Sequence, residues 1–438
     1  MTTDSAPRAL DLSPRMLALD LLSAVLRRRR ALDDEFEALI GRSTLEPRDR
    51  GFVRLVVATV LRRLGQIDAA LAAALAKPEL PKPEVHDLLR LGAAQLLFLD
   101  TPAHAAVNTT VELAGASAVT KAYKPLINAV MRRLGREGAA KLAGPDAARL
   151  NTPDRLWSSW QAAYGAETAW AITTAHLHEA PLDLTLKDPA DAPRLAEALD
   201  AAILPTGSLR RAAGGSVVDL PGFVEGSWWV QDAAAALPAR LLGDIRNRLV
   251  FDLCAAPGGK TAQLAAAGAQ TIAIDRAGKR LERLHANLQR LGLSAEIVTA
   301  DATVWQPEQA ADAILLDAPC SASGTIRRHP DIPHLKGPDD IAKLSVLQRR
   351  LLERAVDLLR PGGVLVYTVC SLQPEESERQ IAALLAAGHP VERVPIAADE
   401  IGGLAEAITA AGDLRTLPCH LTELGGMDGF YACRLRKN

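Results

Sequence analysis

The 438-residue sequence has few cysteines, few aromatic residues and no long uninterrupted apolar stretch. A bilayer-spanning helix needs about 20 apolar residues, so we expect no membrane association. The five cysteines are odd in number and have no C-x-x-C spacing, which argues against a disulfide framework and against a zinc site. Residues Met1 to Leu12 carry acids and lack an apolar core, unlike a secretory signal. These absences predict a cytoplasmic protein with free thiols and no bound metal.

The net charge is only −2, but it is unevenly distributed along the chain. Residues 1–145 contain 21 Lys and Arg against 16 Asp and Glu, a net of +5. The remainder has 29 bases and 36 acids, a net of −7. A basic segment joined to an acidic one permits a polyanionic partner without requiring one. The run Arg27–Arg30, at the end of a predicted helix, fits a solvated helix end and an RNA contact equally well.

The length of the chain predicts two or three domains. Apolar residues recur at helical spacing through residues 1–145, beginning at Ser13, so we predict an all-helical N-terminal domain. Residues 146–237 combine two Trp-containing helical stretches with strand-like alternation at Leu182–Lys187, which predicts a small α+β insert. In residues 238–438 strand and helix patterns alternate, which predicts an α/β domain with a mostly parallel, doubly wound sheet.

Apolar runs and turn residues give the positions of the elements in this α/β domain. We predict strands at Leu249–Leu253, Thr271–Ile274, Ala295–Thr299, Ala313–Leu316, Val364–Thr368, Val391–Val394 and Gly429–Arg434. We predict helices at Thr261–Ala266, Lys279–Leu291, Asp339–Leu359 and Pro374–Leu385.

The stretch FDLCAAPGGKTAQLAAAG, residues 251–268, predicts a strand, a turn and a helix. Its Gly-Lys-Thr ending is shared with phosphate-binding loops, but Cys254 stands where such a loop has its first glycine, and Pro257 removes an N–H group. The stretch also lacks the G-x-G-x-x-G dinucleotide fingerprint. An NTPase is therefore the less favoured interpretation. Gly258 and Gly259 are expected to let another ligand approach the backbone.

Three carboxylates follow successive predicted strands, at the edge of the sheet where ligands of α/β proteins bind. Asp275 is placed to accept both hydroxyl groups of a ribose, Asp301 to accept from an adenine amino group, and Asp317 to face a cationic tail. Each aspartate alone is also a common turn or capping residue. Together they favour a nucleoside with a positive charge over a triphosphate, and we predict S-adenosylmethionine.

Four motifs resemble the RNA 5-cytosine methyltransferases of the Sun/NOL1/NOP2 group: DLCAAPGGKT, LLDAPCSASGTIRRHPDI, VYTVCSLQPEES and GGMDGFYACRL. This resemblance implies a Rossmann-like catalytic domain that uses S-adenosylmethionine, and an RNA-binding insert. The helical N-terminal region is more loosely similar to the NusB-like RNA-binding domain of the bacterial members. By the same resemblance, the residues that bind the methyl donor are Cys254, Ala255, Ala256, Pro257, Gly258, Gly259, Lys260, Asp275, Arg280, Asp301 and Asp317.

Carbon 5 of cytosine is a weak nucleophile, so its methylation calls for a thiolate that adds at carbon 6 and a base that later removes the carbon-5 proton. Cys320 follows the fourth predicted strand and Cys370 the fifth. The residues alone leave open which of them attacks, and either could be a packing residue. The resemblance implies that Cys370 is the nucleophile and that Cys320 assists product release.

The remaining polar residues near these motifs have two interpretations each. Asp317 can contact the cofactor, the cytosine, or both, and Lys260 can orient the base or lower a thiol pKa. Arg327, Arg328 and His329 fit an RNA-phosphate contact or an ion-paired loop equally well. The family pattern has threonine at position 369, before the nucleophile, where this chain has valine.

We therefore expect an RNA (cytosine-5-)-methyltransferase that uses S-adenosylmethionine. Its expected substrate is small-subunit rRNA, and we expect the protein to be a monomer. The alternative is a non-catalytic RNA-binding or ribosome assembly protein with a vestigial cofactor pocket. A binding protein needs neither thiol, so the presence of both Cys320 and Cys370 favours the enzyme. A DNA substrate is disfavoured by the same pair and by the NusB-like region.

Overall fold

The computed structural model describes residues 13–75, 82–142 and 146–438. The expectation for Met1–Leu12 lies outside these residues. The chain divides into two compact units, which are described separately. The helical unit comprises Met1–Ser158 and His329–Leu335, and the second unit comprises Ser159–Arg328 and Lys336–Asn438.

Helices occur throughout the described chain, and several begin where the sequence places a proline in the first turn, as at Pro47 and Pro83. In chain order they are α1 (Ser13–Leu26), α2 (Leu32–Ile40), α3 (Pro47–Arg62), α4 (Leu64–Ala74), α5 (Pro83–Phe98), α6 (Ala103–Gly115), α7 (Lys124–Leu142), α8 (Ala147–Leu150), α9 (Asp154–Tyr164), α10 (Ala166–Ala175), α11 (Ala192–Leu199), α12 (Leu237–Arg240), α13 (Gly259–Ala266), α14 (Gly278–Leu291), α15 (Ile332–Leu335), α16 (Pro338–Leu358) and α17 (Glu378–Ala386). Within the described residues, none is long and apolar enough to cross a membrane.

Among the residues that the structure describes, the strands all lie in the second unit. In chain order they are β1 (Leu182–Leu186), β2 (Ala202–Ile203), β3 (Leu209–Arg211), β4 (Trp228–Val230), β5 (Leu249–Leu253), β6 (Gln270–Asp275), β7 (Glu296–Thr299), β8 (Ala311–Asp317), β9 (Leu359–Val369), β10 (Val391–Arg393), β11 (Leu414–Thr416) and β12 (Phe430–Lys437).

The helical unit has one apolar core, to which the predicted stripe of α1 contributes Leu21 and Val25, both fully buried. Its last part is the segment 329–335, which follows the Arg327-Arg328 pair in sequence. The Asp331 carboxylate accepts a hydrogen bond from the Leu32 backbone N–H at 2.9 Å. Residues 329–335, which come after the Pro-Cys motif in sequence, are therefore part of the helical unit.

The second unit contains a small antiparallel sheet of order β2-β3-β1-β4 and a large sheet of order β10-β12-β9-β8-β5-β6-β7, with β11 paired to β12. Strands β5 to β9 pair in parallel, as buried strands joined by helical crossovers do. Strand β12 runs antiparallel to both β9 and β10. The helical, α+β and Rossmann-like parts of the predicted fold class are thus confirmed.

Candidate active site

The carboxyl ends of four parallel strands meet at one edge of the large sheet. Leu253, the last residue of β5, pairs with Ile274 of β6 and with Leu316 of β8, and Asp317 pairs with Thr368 of β9. The residues that follow these pairs are those singled out in the sequence, so parallel pairing brings them to a common edge.

The loop between β5 and α13 turns sharply through two residues with positive φ, Cys254 at +63° and Gly258 at +103°. A Cβ atom on Gly258 would lie 2.6 Å from Cγ of Leu284 in α14. Gly258 is therefore required by helix packing and backbone conformation, a reason other than the ligand approach inferred from sequence. A Cβ on Gly259 would meet nothing closer than 3.6 Å, so this position remains open.

Asp275 and Arg280 fasten this loop to the end of β6. The two carboxylate oxygens of Asp275 accept hydrogen bonds from the backbone N–H groups of Ala256 at 3.2 Å and Ala277 at 2.9 Å. The Arg280 guanidinium donates to the Ala256 carbonyl. Asp275 is buried, and Oδ1 and Oδ2 each retain acceptor capacity toward a ligand in the loop.

Asp301 lies after β7 and is exposed. Its Oδ1 accepts from the backbone N–H of Thr303 at 2.9 Å and from the Thr303 hydroxyl at 2.7 Å. These two bonds lower the pKa of Asp301, so it is an anion at neutral pH. The carboxylate is thus held as an acceptor at the solvent side of the edge.

Lys260 and Asp317 form an ion pair, with Nζ donating to Oδ2 at 2.8 Å. Burial alone would lower the pKa of Lys260, but the Asp317 charge and hydrogen bond outweigh it and raise that pKa. A negative charge on Cys370 acts in the same direction. Lys260 Nζ also lies 5.1 Å from the centre of the Phe430 ring.

The two candidate thiols are adjacent: Sγ of Cys320 and Sγ of Cys370 are 3.4 Å apart. Backbone bonds hold their loops together, since the Gly324 N–H donates to the Cys370 carbonyl at 3.0 Å. The hydrogen bond to Cys370 is the largest cause that raises the pKa of Cys320, followed by burial. Cys320 is therefore the partner that keeps its proton.

The other cysteines have different surroundings. Burial, and then the charge of Asp275, raises the pKa of Cys254, which keeps it protonated. Cys433 lies in the core of the large sheet and Cys419 is partly buried, its pKa also raised by burial. These environments suit packing thiols.

Asp252, which the sequence analysis did not single out, lies in β5 beneath the loop and is fully buried. Its Oδ2 accepts from the Thr261 hydroxyl at 2.6 Å. Its Oδ1 has no hydrogen-bond partner among the described residues. Burial, augmented by the charge of Asp317, raises its pKa to about 7. The sequence signal that could have identified Asp252 is an acidic residue inside an otherwise apolar predicted strand.

Arg327 is buried and Arg328 is partly buried, with its guanidinium turned to protein carboxylates. Arg328 donates to the carboxylates of Asp232 at 2.5 Å and Asp428 at 3.1 Å. These ion pairs outweigh the effect of burial and raise its pKa. Of the two interpretations of this motif, the ion-paired loop fits the geometry. His329 pairs with Asp33, Nδ1 to Oδ2 at 3.0 Å, inside the helical unit.

A cavity of about 280 Å³ opens beside the ion pair, and Trp229, Gly258, Lys260, Asn287 and Asp317 contribute to its lining. A larger cavity of about 790 Å³ lies at the opposite edge of the sheet, where β5, β6 and β7 begin. None of the predicted catalytic or cofactor-binding residues lines it. Within the described part of the chain, no group of three or more His, Cys, Asp or Glu is arranged to hold a metal ion.

Two family models match the chain: 16S rRNA methyltransferase RsmB/F over residues 239–436 and the NusB family over residues 12–136. The ribosomal RNA small subunit methyltransferase B of Vibrio cholerae is 39% identical over 412 residues, covering 90% of this chain and 91% of that protein. The protein of the same name from Pseudomonas putida is 37% identical over 448 residues, covering 97% and 99%. A solved methyltransferase homolog protein from Pyrococcus horikoshii is 27% identical, with a TM-score of 0.54 over 64% of this chain and 94% of that one.

The likeness therefore extends over nearly the whole length of curated relatives, and the resemblance stated from the motifs is confirmed. The chain belongs to the RsmB/F family of 16S rRNA methyltransferases, with an N-terminal region of the NusB family.

Proposed function

We propose that this protein transfers a methyl group from S-adenosylmethionine to carbon 5 of a cytosine in small-subunit rRNA, through a covalent bond between Cys370 and carbon 6 of the base. The observation that carries the proposal is the thiol pair, 3.4 Å apart and next to the Lys260–Asp317 ion pair. The names of the relatives, rRNA small subunit methyltransferases, support the choice of substrate.

The donor set at the sheet edge fits the cofactor. Asp275 is anchored by two backbone N–H groups and has acceptor capacity left for ribose hydroxyls. Asp301 is an exposed acceptor on the next strand for an adenine amino group. The backbone from Cys254 to Gly259, with Arg280 holding the Ala256 carbonyl, completes the proposed cradle. Bound there, the cofactor would supply an electrophilic methyl group.

Cys370 is the proposed nucleophile because it follows β9 and lies 3.4 Å from Cys320, whose raised pKa makes that thiol the one that keeps its proton. The Lys260 ammonium lies close enough to be affected by its charge, and the retained proton of Cys320 can be donated to it. Addition of the thiolate forms a sulfur–carbon bond at carbon 6 and leaves carbon 5 electron-rich. Lys260 and Asp317 are suited to hold the N3 and N4 edge of the base in the adjacent cavity.

Cys320 is the proposed agent of product release. While Cys370 is a thiolate, the hydrogen bond from Cys320 raises the pKa of Cys320. Once Cys370 is bonded to carbon 6, that cause disappears, and Cys320 can lose its proton to solvent and accept the proton of carbon 5. The carbon 5–carbon 6 double bond then re-forms and the sulfur–carbon bond breaks, which returns Cys370 as a thiolate.

We further propose that residues 1–145 and 146–237 bind RNA while residues 238–438 carry catalysis, and that the protein works as a cytoplasmic monomer. The basic excess of the first region suits phosphate contacts, whose strength falls as salt increases.

The test is a covalent trap with methyl-labelled S-adenosylmethionine and small-subunit rRNA, resolved on a denaturing gel. Wild type, Cys320→Ala, Cys370→Ala and, as a control at a free thiol outside the site, Cys419→Ala are compared. We expect Cys320→Ala to accumulate a protein–RNA adduct that resists denaturation, because release is blocked. Cys370→Ala should form no adduct, and Cys419→Ala should methylate like wild type.

An adduct in Cys370→Ala that is absent in Cys320→Ala would exchange the two roles. Methylation by the double variant Cys320→Ala/Cys370→Ala would overturn the covalent route. Absence of methyl transfer by wild type to both free rRNA and small-subunit particles would favour the binding-protein alternative.

A further inference from the structure

We propose that Glu376 is a positioning residue that holds the two thiol loops at their reactive separation. Glu376 follows Cys370 by six residues and is fully buried beneath both cysteines. The inference rests on the proposed function, since it presupposes that the thiol pair reacts. No step of that chemistry assigns Glu376 a role, and no contact to a base or cofactor is required of it.

The first set of contacts fixes the loop that carries Cys320. The residue directly after this cysteine is Ser321, whose backbone N–H donates to Oε1 of Glu376 at 2.9 Å. The Ser321 hydroxyl donates to Oε2 at 2.5 Å. One carboxylate thus holds both the backbone and the side chain next to the thiol.

The second set fixes the loop that carries Cys370. The residue after this cysteine is Ser371, whose hydroxyl donates to the same Oε2 at 2.5 Å. The two serine hydroxyl oxygens are themselves 3.1 Å apart. Equivalent positions in the two loops therefore meet on a single oxygen atom, and the carboxylate bridges loops that are 50 residues apart in sequence.

Further contacts keep the carboxylate in place. The Gln348 side chain of α16 donates to Oε1 at 3.1 Å and to the Pro319 carbonyl at 2.9 Å. The Tyr367 hydroxyl donates to the backbone carbonyl of Glu376 at 2.6 Å. The bridge is therefore supported from the sheet and from a helix, which is how an oriented pair of reactive groups is kept in one geometry.

The positions of the two sulfur atoms matter because the attack of Cys370 on carbon 6 and the removal of the carbon-5 proton by Cys320 both require accurate placement. A nucleophile and its target react from a separation of about 3–3.5 Å, and a misplacement of about 1 Å can cost about 100-fold in rate. The hydrogen bond that raises the pKa of Cys320 also exists only at a short Sγ–Sγ distance. Loss of the Glu376 bridge should therefore affect both the reaction rate and this hydrogen bond.

Glutamine is a discriminating replacement. Its carbonyl oxygen can accept from the Ser321 N–H and from Gln348, and its amide group can donate to both serine hydroxyls, which can act as acceptors. Glu376→Gln keeps the bridge without the charge, whereas Glu376→Ala removes it. Glu375→Ala is the matched control, because the side chain of the adjacent Glu375 is only partly buried and pairs with the exposed Arg379 at 3.1 Å.

The experiment measures kcat and KM for methyl transfer to small-subunit rRNA, and the rate of adduct formation in the Cys320→Ala background. We expect Glu376→Ala to lower kcat and the adduct rate by about 100-fold with KM changed by less than about 3-fold. Glu376→Gln should restore most of kcat, and Glu375→Ala should equal wild type. The double variant Ser321→Ala/Ser371→Ala, which keeps the carboxylate, should reproduce the defect if Glu376→Ala does not fold.

The proposal is overturned if folded Glu376→Ala, or the double serine variant, retains wild-type kcat. It is also overturned if Glu376→Gln is as impaired as Glu376→Ala, because the charge and not the bridge would then matter. An inactive wild type would contradict the proposed function instead, and active Cys370→Ala would do so too.

Discussion

The buried carboxyl group of Asp252 makes the stability of the second unit depend on pH in a way that can be calculated. Its pKa is about 7 in the folded chain and about 3.9 when unfolded. Folding therefore favours the protonated acid, and the stability this gives is fully present below about pH 4 and lost as the pH rises through 7. At about 1.36 kcal/mol per pKa unit, a shift of about three units amounts to about 4 kcal/mol.

The perturbation is Asp252→Asn, which cannot ionise. Its free energy of unfolding relative to wild type should increase by about 4 kcal/mol between pH 4 and pH 8. Any fixed cost of the amide in the site, including its contact with Thr261, is the same at every pH and cancels in this difference. Urea unfolding followed by tryptophan fluorescence is the assay, because five of the six tryptophans lie in residues 159–328.

Asp301→Asn is the control. Asp301 is exposed, and its hydrogen bonds with Thr303 lower its pKa. The pH dependence has the opposite sign, because the ionised Asp301 stabilises the wild-type fold above its unfolded pKa. The free energy of unfolding of Asp301→Asn, relative to wild type, should therefore fall as the pH rises. A difference between Asp252→Asn and wild type that stays constant from pH 4 to pH 8 would refute the assignment of a raised pKa to Asp252.

Two predictions concern the scaffold around the site. Gly258→Ala should destabilise the protein by about 2 kcal/mol, because φ is +103° and its Cβ would lie 2.6 Å from Leu284, whereas Gly259→Ala should be near neutral in the same thermal unfolding measurement. Arg328→Met should cost about 3–5 kcal/mol by leaving Asp232 and Asp428 without this cation, and a fall in RNA affinity with no loss of stability would contradict the structural role.

The sequence predicted the sheet edge well because each strand there is a run of apolar residues followed at once by a polar one. Asp275, Asp317 and Cys370 carry that signal, and parallel pairing brings them together. The predicted final strand, Gly429–Arg434, is observed as Phe430–Lys437. Its position between β9 and β10 depends on pairing across long loops, which a local pattern does not contain.

The features that sequence reasoning missed depend on contacts distant along the chain. Glu376 belongs to an acidic stretch typical of a solvated helix start, and only the fold brings it to Ser321, 55 residues away. Asp252 interrupts an apolar strand without any turn signal. Gly258 was interpreted through a ligand, although Leu284, on another helix, is what excludes a side chain there.

The thiol pair also accounts for how one site can require a thiolate and a proton-bearing thiol at the same time. Two thiols at 3.4 Å cannot both ionise without repulsion, so the pair tends to share one proton, as closely spaced acids do. The hydrogen bond to Cys370 and burial raise the pKa of Cys320, so Cys320 is the thiol that keeps its proton. Formation of the bond to carbon 6 removes that negative charge and so frees Cys320 to become the base. The order of the proposed steps thus follows from the spacing of the two sulfurs, and a bridge such as Glu376 that sets the spacing would also set the order.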